Sequence, residues 1–182
     1  MLVQLKDHKQ LTIRLLEATD SEKLFQYFDD LSPETKSRFG PHPFDKATVD
    51  DIWNHLPGHT LRYIAINESA SKIVAYMLVK PGLIEWDAQR YAIRHQFFDD
   101  ATTVTYAPSV ADEWQSSGLG SAMYDFIELE LKRKGVKKII LWGGVQAGNQ
   151  KALHFYSKYG YRYIAPFRYD GKDNYDMLKE LN

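Results

Sequence analysis

The residues whose types and spacing point most directly to chemistry are QSSGLG, Gln115 to Gly120. Ahead of them, Val104, Tyr106 and Val110 are strand-forming, with the alternation disturbed near Pro108 as if the strand bulges or ends there. After them, Leu119, Met123, Phe126, Ile127 and Leu131 recur at helical spacing until Gly135 stops the run. A strand that enters a helix through a glycine turn presents unpaired backbone N–H groups at the positive end of the helix dipole. Such a turn suits an anion, most simply a phosphate. A P-loop would need a Lys directly after the glycines, and none follows. A dinucleotide fingerprint would put Met123 where Gly or Ala is required, and the next strand, KKIILWGGV, offers no acidic residue for a ribose. The pattern left is Gln-x-x-Gly-x-Gly.

That pattern resembles the (Arg/Gln)-x-x-Gly-x-(Gly/Ala) pyrophosphate loop of the GNAT superfamily, the acyl-CoA-dependent N-acetyltransferases. A second stretch, NQKALHFYSKYGYRYI, is similar to the helix that follows in that family, with Asn149, Ala152, Tyr156, Gly160 and Tyr161 at the matching places. Two spaced motifs in the right order, one strand apart, are harder to obtain by chance than either alone. LSPETKSRFG also resembles a segment found after the first helix of many such enzymes.

The resemblance implies acetyl-CoA as co-substrate and an amine as acceptor, with direct transfer in a ternary complex. It makes residues 115–121 (Gln115, Ser116, Ser117, Gly118, Leu119, Gly120, Ser121) a pyrophosphate-binding loop, and 149–159 a cofactor and catalytic helix. Val110 would pair with the pantetheine arm through its strand edge. Asn149 either caps its helix or also reaches the pantetheine. Lys151 either meets the nucleotide end of CoA or is an ordinary solvated lysine. Tyr156 would donate a proton to the departing thiolate, since a phenol is protonated at neutral pH; the competing account makes it a core aromatic. The base is open. A Lys-type amine costs roughly 4 kcal/mol to neutralise near pH 7, an α-amino group only about 1. Glu113, with Asp112 beside it, and Glu85 are candidates; each is equally an ordinary solvated carboxylate, and a water relay would serve as well.

Around these residues the chain reads as short strands at 2–6 and 10–16 about a polar turn, then a helix opened by Thr19 and Glu22 as a capping box. Ser32 and Pro33 start another helix, and ATVDDIWNHL a third. LRYIAIN and KIVAYMLVK are strands joined by ESAS; 137–145 is a strand, 149–159 a helix, and YRYIAPFRY and NYDMLKEL closing strands. Residues 81–100 have no clean period and read as an insertion bordering the acceptor pocket. The expected architecture is a single α/β domain, 1–182, with a mixed, mostly antiparallel sheet of about seven strands flanked by about four helices. The resemblance adds a splayed central strand pair.

Bulk properties exclude several classes. The 182 residues carry 23 basic and 24 acidic side chains, so no general pull toward nucleic acid or anionic membrane is expected. With no cysteine, disulfides, thiolate metal sites and a Cys acyl-enzyme are excluded. The histidines show no metal spacing, and no metal is expected. No apolar run approaches the about 20 residues of a membrane helix, which points to a cytoplasmic protein. The acceptor is a small molecule or a protein amine, and a homodimer is compatible. Two other classes compete: a non-catalytic acyl-CoA-binding or sensing module, which retained Tyr156 disfavours, and a nucleic-acid binder using KRKGVKK, whose cations are ordinary at a helix C-terminus.

Overall fold

The computed structural model describes residues 1–5 and 10–181 and divides into two compact units. The polar turn expected at 6–10 lies, apart from Gln10, outside the described residues. The first unit comprises Met1–Val79 and Ala107–Glu130, the second Lys80–Tyr106 and Leu131–Asn182.

In the first unit, β1 (Leu2–Gln4), β2 (Gln10–Leu15), β3 (Leu61–Asn67) and β4 (Lys72–Pro81, entering the second unit at Lys80) pair antiparallel in chain order. Their β-branched and aromatic residues suit a pleated, buried surface, and Ile13, Ile64, Ala65 and Tyr76 have no solvent exposure. Against them, α1 (Ser21–Asp30) buries Leu24, Tyr27 and Phe28, spaced for one helical face. The Tyr27 hydroxyl shares a 2.8 Å hydrogen bond with Ser109 Oγ on β5 (Thr103–Val110). Ser32 caps α2 (Pro33–Ser37), and Asp45 caps α3 (Lys46–Asn54). The start of α1 differs from the expected Thr19 and Glu22 box. Asp20 takes the Arg14 fork at 2.6 and 2.8 Å and the Glu17 N–H at 2.9 Å, so the ion pair to β2 fixes the helix entry.

In the second unit, Thr103–Tyr106 of β5 runs parallel to β6 (Lys138–Leu141), which pairs antiparallel with β9 (Lys172–Glu180). β9 also carries β7 (Val145–Gln146) and β8 (Arg162–Tyr169). The parallel pairing closes where Trp142 N–H donates to the Tyr106 carbonyl at 2.9 Å; β6 is then spent, while β5 continues to Val110. A splayed pair requires that early end. Tyr91, Ile140 and Leu178 form a core cluster with Leu83, Phe98 and Ile164 around it. α5 (Leu119–Arg133) runs from the first unit into the second, and α6 (Gln150–Lys158) follows β7.

The mixed, mostly antiparallel α/β fold is as expected, although nine strands and six α-helices among the described residues exceed the about seven and about four anticipated. Two corrections account for part of the excess. The strand expected at 137–145 is broken, because Gly143 and Gly144 both have positive φ. A Cβ on Gly144 would lie 2.6 Å from the Tyr175 carbonyl oxygen, so only glycine lets the chain turn there. Residues 81–100 hold a helix, α4 (Glu85–Ala92), whose buried positions are Asp87, Arg90 and Tyr91. Two charges where apolar residues would usually stand erased the period.

Those charges are satisfied internally. The Arg90 guanidinium lies 2.7 Å from carboxylate oxygens of both Asp87 and Asp176, under the Phe167 ring at 3.9 Å, and Asp87 also accepts the Gly143 N–H at 3.0 Å. The group ties α4 to β9 and to the turn after β6. Removing the cation would strand two buried carboxylates. Arg90→Met should therefore cost about 3–5 kcal/mol in urea unfolding. A loss under about 1 kcal/mol would show that the triad does not hold this unit.

Candidate active site

In the first unit, β5 ends at Val110, turns through Asp112–Trp114 and reaches the head of α5 across Gln115–Gly118. Ser116 and Gly118 have φ of +62° and +91°. Ser117 Oγ donates to the Trp114 carbonyl at 2.6 Å and accepts the Leu119 N–H at 3.3 Å, locking the last bend. The intrahelical ladder then opens with Ala122 N–H to the Gly118 carbonyl at 3.0 Å, at the N-terminal end of α5. A Cβ built on Gly118 would meet no atom within 4 Å, so the space beside the turn is open to an anion drawn by the helix dipole.

Gln115 does a different task from the amides around it. Its side-chain amide donates to the Val110 carbonyl at 3.3 Å and to Thr35 Oγ1 at 3.1 Å, so it clamps the strand end to α2. Thr35 Oγ1 in turn donates to Asp112 at 2.6 Å. Asp112 also accepts the Ser32 N–H at 2.9 Å and the Ser32 hydroxyl at 2.6 Å. Partial burial works to raise the Asp112 carboxyl, but the bonds from Ser32 and Thr35 outweigh it and hold the group below the ordinary carboxylate range. Such an acid is a poor base, and Asp112 serves as an anchor. Its partners Ser32 and Thr35 stand about eighty residues away in the chain and were not singled out as site residues; the Ser32 cap was visible, its second partner was not.

The structure brings Val110, Gln115, Ser116, Ser117, Gly118, Leu119, Gly120 and Ser121 into this one turn. Glu113, on the same turn, is exposed and accepts the Trp114 indole N–H at 3.0 Å. In the second unit, Asn149 caps α6 by accepting the Ala152 N–H at 3.2 Å, and Lys151 is exposed in the first turn of that helix. Tyr156 is buried, with the Phe155 and Tyr161 rings at 5.5 and 5.1 Å, and burial alone pushes its phenol far up. Glu85 lies exposed on the first turn of α4 and accepts from Gln89 at 3.2 Å. Among the described residues no helix is long and apolar enough to cross a membrane.

The sequence matches the model of the Acetyltransferase (GNAT) family over residues 24–161. The fold is similar to the GNAT domain of S. lividans PAT, at 18% identity over 100% of this chain and 96% of that chain, with a TM-score of 0.77. It is similar to smu.2055 from Streptococcus mutans UA159, at 22% identity over 94% and 99% of the two chains and a TM-score of 0.70. It is also similar to yncA from Salmonella typhimurium, solved with its cofactor acetyl-CoA, at 15% identity over 94% of each chain and a TM-score of 0.67. No protein of curated function matches the sequence. The chain belongs to the GNAT acetyltransferase family, since the family match spans well over half of it.

Thr35 is the joint of the clamp. Thr35→Val keeps the volume and removes both bonds, which should cost about 1–3 kcal/mol and speed amide hydrogen exchange across residues 112–121. Exchange unchanged in that segment would mean the loop stands without the clamp.

Proposed function

We propose that the protein transfers an acetyl group from acetyl-CoA to a primary amine of a small molecule or protein, by direct attack in a ternary complex. The observation that carries the proposal is the glycine turn that enters α5, with open space beside Gly118 at the positive end of the helix. A diphosphate is the part of CoA that such a turn would hold. Family membership supports acyl transfer, and acetyl-CoA bound to the structurally similar yncA supports the donor.

In this account the neutral amine nitrogen attacks the thioester carbonyl carbon, the C–S bond breaks, and the thiolate leaves with a proton. A free N–H at the Val110 strand edge would polarise the carbonyl. Tyr156 is the proton donor: burial keeps its phenol protonated at neutral pH. Asn149 spends its side-chain oxygen on the helix cap, leaving its NH2 group for the pantetheine. Lys151, exposed, is free to meet the nucleotide end. For the amine proton, Glu113 and Glu85 are exposed carboxylates, and a water relay to either meets the need.

The test is a panel of amines with detection of free CoA. Tyr156→Phe should lower kcat by about 100-fold or more while the dissociation constant for acetyl-CoA stays within about twofold. Undiminished kcat would remove Tyr156 from the chemistry. Tight acetyl-CoA binding with no turnover on any amine would instead favour a sensing module.

A further inference from the structure

In the first unit a groove of about 250 Å³ opens to solvent between α1 and the start of β4. Its floor is the buried pair Tyr27 and Ile73. Glu22, Gln26 and Asp30 recur at every fourth residue, so one stripe of α1 makes a wall, with Lys23 beside it. Lys72, the first residue of β4, stands across from them. A space of this size suits a molecule of about a dozen heavy atoms or fewer.

The two ends of the groove differ. Seven residues of helix set Lys23 and Asp30 about 10 Å apart along α1. Asp30 is engaged: Gln26 donates to one carboxylate oxygen at 2.6 Å, and the Lys72 ammonium lies 3.5 Å from the other. At the opposite end, neither the Lys23 ammonium nor the Glu22 carboxylate has a hydrogen-bond or ion-pair partner among the described residues. One uncommitted charge of each sign therefore borders the same space, and the four charges sum to zero. A simple anion drawn by Lys23 is repelled by Glu22, and a simple cation meets the reverse. A zwitterion satisfies both, and an α-amino acid does so while its side chain covers Tyr27 and Ile73.

Two members of the groove lead to the glycine turn. The Tyr27 hydroxyl shares its 2.8 Å hydrogen bond with Ser109, the residue before Val110. Asp30 ends α1, and two residues on, Ser32 holds Asp112 through its N–H and its hydroxyl. A ligand that fixes α1 against β4 steadies both supports of that turn. We infer that this groove binds a free α-amino acid, its carboxylate on Lys23 and its ammonium on Glu22, and that the bound amino acid tightens the hold of the turn on CoA. The binding half stands apart from acetyl transfer; only the coupling half rests on that proposal.

The experiment titrates each common amino acid in turn into the whole protein and follows the α1 amide resonances by NMR. At least one should shift them. Its N-acetyl derivative lacks the ammonium and its amide lacks the carboxylate, so each should bind about tenfold more weakly or not at all. Lys23→Gln and Glu22→Gln, whose side chains bond no other residue, should each weaken binding by a similar factor. CoA is then titrated with and without the saturating amino acid, and its affinity should rise about fivefold in wild type but not in Lys23→Gln. No shift with any amino acid, equal binding of the two derivatives, or binding that both variants leave intact overturns the site; an unchanged CoA affinity overturns the coupling. If CoA itself does not bind, the donor proposal fails, while the amino-acid titration still decides the site.

Discussion

A single hydroxyl fixes the geometry on which the phosphate-loop account depends. Thr35 Oγ1 gives its hydrogen to Asp112 and takes one from the Gln115 side chain, while Gln115 reaches on to the Val110 carbonyl. Three places in the chain are joined there: the helix after Ser32, the end of β5, and the entry to the glycine turn. A turn that holds an anion with backbone amides must be rigid before the anion arrives, since ordering it on binding would subtract from affinity. Thr35 is only 8% exposed, so water competes poorly for these bonds.

The same economy governs the second unit in a different currency. There the fixed point is a buried cation, Arg90, shared by Asp87 on its own helix and Asp176 on β9. Asp87 passes the constraint to the backbone at Gly143, directly after β6. Burial raises the Asp87 carboxyl, against the Gly143 and Arg90 bonds that favour its charged form. A triad of this kind is a weak source of net stability but a strong source of uniqueness, because any other packing leaves a charge unmatched. β6 must stop and turn at a defined residue, and a glycine pair with an anchored amide makes it do so.

What could be read from the sequence follows from how local each signal is. The glycine turn, the α5 stripe from Leu119 to Leu131, the Ser32 cap and the Asn149 cap are encoded within a few residues, and each stands where spacing put it. The strands from 61 to 81 and 162 to 180 likewise declared themselves by β-branched and aromatic content. Three features were not local. The α1 entry went to Asp20 because Arg14, on a strand, competes for it. The helix at 85–92 hid because its buried face carries Asp87 and Arg90, whose partner Asp176 lies far along the chain. Asp112 looked like a free carboxylate beside the loop and is instead committed to Ser32 and Thr35. Each miss is a polar side chain whose role is set by a partner that sequence distance conceals.

In the proposed reaction the donor would be held by backbone, and the leaving group would need one proton. The account therefore stands or falls on the amides at the head of α5. The most direct measurement is an amide NMR titration comparing CoA with pantetheine, which lacks the diphosphate. CoA should shift the resonances of Ser117, Gly118, Leu119, Gly120 and Ser121, and pantetheine should leave them in place. CoA that binds while those five resonances stay still would contradict the central claim.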